Sequence, residues 1–148
     1  MKQQEKITGG CLCGDVRFEI VSAPKLTEYC HCTTCRKASG SPVMAWAGVT
    51  TDGFRLLKGK PAVYASSPGV ERGFCGRCGT SVSIYSVQFP EEIYVSMASF
   101  DDADAIAPEV HIWREERLDW LETSDDLPRY TRFKSDGIVE SAGGSGSR

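Results

Sequence analysis

Three thiols fall within six positions in the stretch Tyr29-Cys30-His31-Cys32-Thr33-Thr34-Cys35. A disulfide cannot use all three. A soft metal ion can: zinc takes thiolate sulfur at roughly 2.3 Å and prefers four ligands in a tetrahedron. Three protein ligands leave one position for a guest, the arrangement shared by catalytic zinc sites. In an extended segment residues i and i+2 point to the same side, so Cys30 and Cys32 can reach one ion. Cys35 follows after what reads as a short turn at Thr33-Thr34. His31, between two ligands, would point away from them.

The other four cysteines form two pairs. Cys11 and Cys13 repeat the two-apart spacing inside the glycine-framed knuckle Gly9-Gly10-Cys11-Leu12-Cys13-Gly14. Cys75-Gly76-Arg77-Cys78-Gly79 is a CxxC whose glycines let the backbone fold tightly and turn its N–H groups toward sulfur. Together the pairs make a closed four-cysteine set of the structural type. Seven thus divides as four plus three. The spacing leaves other readings open. The three-thiol cluster can be structural too, with a fourth ligand from elsewhere. A redox pair at Cys32 and Cys35 ranks lower, because no helix in a βαβ context is expected to begin there.

The elements that must position these thiols read as short strands. Val16, Phe18 and Ile20 alternate within residues 15–21, which predicts a half-buried strand. Residues 43–49, 54–57, 62–64, 81–85 and 93–98 read as further strands, punctuated by glycine and proline turns, while 70–74 leads into the second cysteine pair and 110–113 is short and apolar. Helix signals are weak: one turn capped by Asp101 and stopped by Pro108, and a short segment from Arg114 to Leu121. The expectation is one mostly-β domain, with metal binding supplying part of the folding free energy. Its expected limits are a lead-in over residues 1–8, a zinc domain over 9–135 and a flexible tail over 136–148, low in complexity from Ser141.

Bulk properties narrow the function. The chain has 148 residues and a formal charge of -3. Seven thiolates on two zinc ions would bring that to about -6. Neither figure suits a nucleic-acid partner, which calls for a clustered basic surface. No apolar run is long enough to span a bilayer. Residues 1–6 are polar and lack the apolar core of a secretion signal. An odd number of cysteines fits metal-bound thiolates in a reducing cytoplasm better than an oxidised scaffold.

The segments GGCLCGDVRFEI at 9–20 and CHCTTCRKASG at 30–40 carry a resemblance. So do Gly59, Ser66-Ser67, Arg72 and FCGRCGTS at 74–81, and later PEVHIW at 108–113 with Trp120. From about residue 9 to about 120 the chain resembles the glutathione-dependent formaldehyde-activating enzyme family, which also includes centromere protein V. The resemblance implies an Mss4-like fold of β-sheets around zinc. It implies two zinc ions: a structural one on Cys11, Cys13, Cys75 and Cys78, and an active-site one on Cys30, Cys32 and Cys35. It further implies a carbon–sulfur lyase that joins formaldehyde to glutathione, or parts them in reverse. The expected partners are a small thiol such as glutathione and a small aldehyde.

A thiol that enters a fourth position on zinc loses its proton, and sulfur suits an ion already held by sulfur. Three thiolates make zinc formally anionic, which argues for thiol chemistry over hydrolysis by metal hydroxide. Arg36, Lys37 and Arg72 are candidates to hold glutathione carboxylates, or else solvated charges. His111 offers a proton relay, or a packing role that its apolar neighbours favour. Trp46, Trp113 and Trp120 are pocket or core residues. The alternative to the enzyme is a non-catalytic, zinc-stabilised binding module, since a fold does not fix a function. A thiol redox sensor is a third reading.

Overall fold

The computed structural model describes residues 6–137 and 139. Alternation sets the inner layer: Val16, Phe18 and Ile20 are each 2% exposed or less. Phe18 and Ile20 rise from β2 (Arg17–Ile20), with Val16 just before it; β2 pairs antiparallel with β1 (Ile7–Gly10) and β5 (Phe54–Lys58) in a three-stranded sheet. A seven-stranded sheet packs against it. Its strands are β3 (Leu26–Cys30), β4 (Met44–Thr50), β6 (Ala62–Ser67), β7 (Val70–Phe74), β8 (Ser81–Ser86), β9 (Glu92–Ser96) and β10 (Val110–Ile112), in the order β10-β3-β4-β9-β8-β7-β6. Every pairing is antiparallel except β10 with β3.

The two faces of the large sheet do different work. Ala47, Val49, Val82 and Val95 point to the small sheet and close the main core with Phe18, Ile20 and Phe100. Cys30, Trp46 and Ile112 point the other way, with Ile84 and Tyr94 packed beside them. Gly48 makes room on that face: a Cβ there would lie 3.0 Å from the Tyr94 ring. Tyr94 stands opposite it in the ladder.

The expected mostly-β architecture is present, with corrections. β1, β3, β7 and β10 were not expected as strands: two glycines close β1, β3 and β7 lead straight into cysteines, and β10 is only three residues long. A short helix, α1 (Thr33–Ser39), stands where a turn at Thr33-Thr34 was expected. Its sequence signals are inverted in kind. Cys32 is the N-cap, its sulfur accepting the Cys35 N–H at 3.2 Å in place of the usual hydroxyl or carboxylate. Gly40 ends the helix at φ 73°, its N–H reaching Arg36 O at 2.7 Å. Cys11 and Cys13 sit on a turn, not on an extended strand.

No helix forms at 101–107. Asp101 instead takes the Arg17 guanidinium and the Thr8 hydroxyl, tying that loop to β1 and β2. Of residues 114–121 only Arg114–Glu116 turn helically, as a single 3₁₀ turn. The segment after it returns along β10, where Tyr130 N–H donates to His111 O at 2.8 Å and Trp113 N–H to Arg132 O at 3.0 Å. The tail from Ser141 lies outside the described residues. No helix among the described residues is long and apolar enough to cross a membrane.

Candidate metal centres and active site

Two turns bring the first four cysteines together. Cys11 and Cys13 lie just after β1, and Cys75 and Cys78 just after β7, so the cluster joins the small sheet to the large one. All four sulfurs lie within 4.8 Å of one another. Cys11 and Cys13 are 3.6 Å apart, and Cys13 and Cys75 are 3.8 Å apart. Sulfurs at about 2.3 Å from a tetrahedral zinc stand about 3.8 Å apart, so the spacing fits such an ion and excludes disulfides. The surroundings suit thiolates. Val16 N–H donates to Cys11 Sγ at 3.2 Å and Cys78 N–H to Cys75 Sγ at 3.5 Å. The Thr80 hydroxyl, 3.2 Å from Cys78 Sγ, helps hold that thiol down to about 5, with backbone N–H groups adding to the effect.

The second cluster is built from the end of β3 and the start of α1. Cys30 is the last residue of the strand, Cys32 caps the helix and Cys35 occupies its first turn. Their sulfurs also lie within 4.8 Å of one another, Cys30 and Cys35 at 3.6 Å. Among the described residues no further His, Cys, Asp or Glu joins this group. Instead Arg72, from β7, directs both terminal nitrogens at Cys35 Sγ, each at 3.7 Å. Its Nε is held by Ser66 Oγ at 3.0 Å. The thiols of Cys30 and Cys32 hold Cys35 down to about 3 against burial, with Arg72 assisting. Cys30 rises correspondingly, driven by Cys32 and Cys35.

A cavity of about 230 Å³ opens onto these three sulfurs. Its floor is the outer face of the large sheet, rung by rung: Arg72 stands opposite Ile84, Ile84 opposite Tyr94, and Glu28 opposite Trp46. Trp113 and Phe133 form a wall, edge to face at 5.2 Å. Trp113 has φ 54°, the one positive value outside glycine among the described residues. Such backbone is held only where surrounding structure demands it, often at functional sites.

A sequence model of the family "Glutathione-dependent formaldehyde-activating enzyme" matches residues 6–116. The chain belongs to this family. A Halomonas elongata protein named "Putative glutathione-dependent formaldehyde-activating enzyme" is 32% identical over 127 residues, covering 78% of this chain and 80% of the relative. An uncharacterised lyase of Schizosaccharomyces pombe is 27% identical over 132 residues, covering 83% and 89%. The crystal structure of a Rhodobacter sphaeroides protein superposes with a TM-score of 0.55 at 24% identity, covering 68% of this chain and 91% of that one. The last likeness concerns the fold alone.

The matched region contains all seven cysteines, and Phe133 lies beyond it. Around this family framework the other expected residues sort unevenly. Arg72 reaches the site, but its fork faces a cysteine sulfur. Arg36 is spent on structure, donating to Thr33 Oγ1 at 3.1 Å and Glu116 O at 3.2 Å. Lys37 is exposed and does not line the cavity. Trp46 and Trp113 line it, whereas Trp120 is 72% exposed and belongs to neither pocket nor core.

His31 does point away from the cavity. It is fully buried, and its Nε2 lies 2.8 Å from His111 Nδ1. His111 Nε2 in turn meets both carboxylate oxygens of Asp125 at 3.1 Å. Burial keeps both imidazoles below their ordinary range, His31 near 3. His111 is thus neither simple packing nor a relay into the cavity, whose lining it does not join. Its bonds hold β10 to the strand end that carries Cys30.

Glu28 was missed. It is 6% exposed, lines the cavity, and is pushed up to about 8 by burial first and then by the charge of Cys35. Its position two residues before Cys30 was the available signal, since a strand puts both on one face.

Proposed function

We propose that this chain is a zinc-dependent, carbon–sulfur lyase-like enzyme. It joins a small thiol of the glutathione kind to a small aldehyde such as formaldehyde, and parts their adduct in reverse. In this reading Cys11, Cys13, Cys75 and Cys78 hold a structural zinc, and Cys30, Cys32 and Cys35 a reactive one. The observation that carries it is the contrast between the clusters. One is a closed set of four sulfurs; the other has three sulfurs facing a cavity. Family membership and the names of the two relatives support thiol–aldehyde chemistry. Seven unpaired cysteines suit a reducing compartment, and we place the protein in the cytoplasm.

A zinc ion bound at the three-thiol cluster supplies a place where an incoming thiol becomes acidic and nucleophilic. The chain's residues do the rest. Arg72 offsets the charge of the thiolates at Cys35. Trp46, Tyr94 and Trp113 exclude water from the reacting groups. Addition forms a bond from thiol sulfur to carbonyl carbon, and the thiol proton ends on the carbonyl oxygen. The reverse breaks the same bond and returns the proton to sulfur.

X-ray absorption at the zinc edge tests the proposal. With one closed and one open site the average is about 3.5 sulfurs per zinc, rising to about 4 when glutathione is added. A sulfur count unchanged by thiol would count decisively against it.

A further inference from the structure

The matched family region stops at residue 116, but the wall of the cavity does not. Its outer lip joins the turn between β8 and β9 to a segment beyond the match. Phe89 of that turn and Phe133 both line the cavity, and their rings meet edge to face at 5.5 Å. The contact brings their chain neighbours, Gln88 and Lys134, to one lip.

The backbone fixes both positions. Gln88 N–H donates to Ser86 Oγ at 3.2 Å, and Val87 N–H to Gly69 O at 2.9 Å. Lys134 opens a 3₁₀ turn (Lys134–Asp136), and Phe133 N–H donates to Asp136 Oδ2 at 3.1 Å. The two side chains are unspent. Both residues are exposed, and among the described residues neither the Gln88 amide nor the Lys134 ammonium has a hydrogen-bonded or ion-paired partner. The neighbouring cations differ: Arg36 is bonded to Thr33 and the backbone, and Arg132 is paired with Glu115 at 2.6 Å. The charge of Lys134 acts inward, since it is felt at Glu28 on the cavity floor. Thr34, Ser67 and Ser86 add hydroxyls to the lining.

What this lip would recognise follows from the thiol–aldehyde reading above, on which the inference rests. A tripeptide thiol held by its central sulfur has an arm on each side, reaching roughly 3.5 Å per residue. A cavity of about 230 Å³ takes the cysteinyl centre and leaves the arms at the mouth. Glutathione ends each arm in a carboxylate and has two amide groups between them. An ammonium answers the carboxylate; a carboxamide, donor and acceptor at once, answers the amide.

We infer that Gln88 and Lys134, set on one lip by the Phe89–Phe133 contact, select the thiol: Lys134 receives a carboxylate of glutathione and Gln88 one of its peptide groups. They act on the arms of the substrate and not on its sulfur, so they determine specificity and take no part in the chemical step. Lys134 lies outside the matched region, so its part does not follow from the family framework.

Calorimetric titration of the zinc-loaded full chain tests this with three thiols. These are glutathione, its dimethyl ester, in which both carboxylates are neutral, and 2-mercaptoethanol, which has neither arm. Lys134→Gln should lower the affinity for glutathione, relative to 2-mercaptoethanol, about fivefold, the upper range for an exposed ion pair. The ester should show no such loss, and Lys134→Arg should restore glutathione. Gln88→Ala should lower glutathione and its ester alike, about three- to fivefold relative to 2-mercaptoethanol. Neither side chain is bonded within the protein, so each variant should keep the wild-type thermal midpoint, which separates lost recognition from lost fold. Glutathione affinity unchanged by Lys134→Gln or by Gln88→Ala, or an equal loss for the ester in Lys134→Gln, would overturn the assignment and leave the thiol–aldehyde reading standing. A wild-type chain that binds none of the three would overturn that reading and the inference with it.

Discussion

Replacing Arg72 by glutamine tests how the open cluster tolerates its own charge. Three thiolates and a divalent ion leave one net negative charge, and an incoming thiolate adds another. The guanidinium, with two nitrogens at 3.7 Å from Cys35 Sγ, is the one cation placed to offset it among the residues lining the cavity. At an effective dielectric of about 20, unit charges at that distance attract by about 4 kcal/mol. Desolvation of a side chain that is 8% exposed offsets part of this, leaving about 1–3 kcal/mol. Arg72→Gln should therefore weaken zinc at this cluster about 10- to 100-fold. Zinc release to a chromogenic chelator measures it, with the four-cysteine cluster as an internal reference. Wild type should release two equivalents at well-separated chelator strengths, and the variant should release the first of them earlier. Arg72→Lys keeps the charge but loses the fork and the Ser66 bond, so it should fall between. A release curve for Arg72→Gln that superposes on wild type would refute the electrostatic role.

The two clusters should respond differently to the loss of a ligand. Cys75→Ser should lower the thermal midpoint by roughly 10 °C or more, because its cluster ties the two sheets together; Cys35→Ser should retain a folded far-ultraviolet spectrum and lose thiol binding. Equal unfolding of both variants would refute the division between a structural and a reactive site. Asp101, held down to about 2 by the Arg17 bond and then Thr8, stabilises the fold above its ordinary value near 3.8 and loses that contribution as pH falls toward 2. Asp101→Asn should cost about 0.5–1 kcal/mol in urea unfolding at pH 7, discounted for solvent exposure. The difference should shrink as the pH drops below 4, and one undiminished at pH 2 would contradict the assignment.

Much of this molecule was legible in its chain because the relevant rules are local. Alternation at Val16, Phe18 and Ile20 gave a strand and the face it buries. Spacing and framing glycines grouped seven cysteines as four and three, and the folded chain gathers the same two groups. Local signals failed where a residue's neighbours are distant in sequence. The cap of α1 is a cysteine, which no ordinary helix-start pattern contains. Arg72 read as a free cation until the register of β7 across β8 and β9 carried it over the sheet to a sulfur 37 residues away.

The sequence by itself determined which cysteines gather as sets, since thiol spacing within a turn or strand is short-range geometry. Only the tertiary structure decided that one set is closed and the other faces a cavity, that Glu28 and Phe133 line it, and that Trp120 does not. Those outcomes depend on how sheets stack and strands register, and so on contacts between segments that carry no mark of one another along the chain.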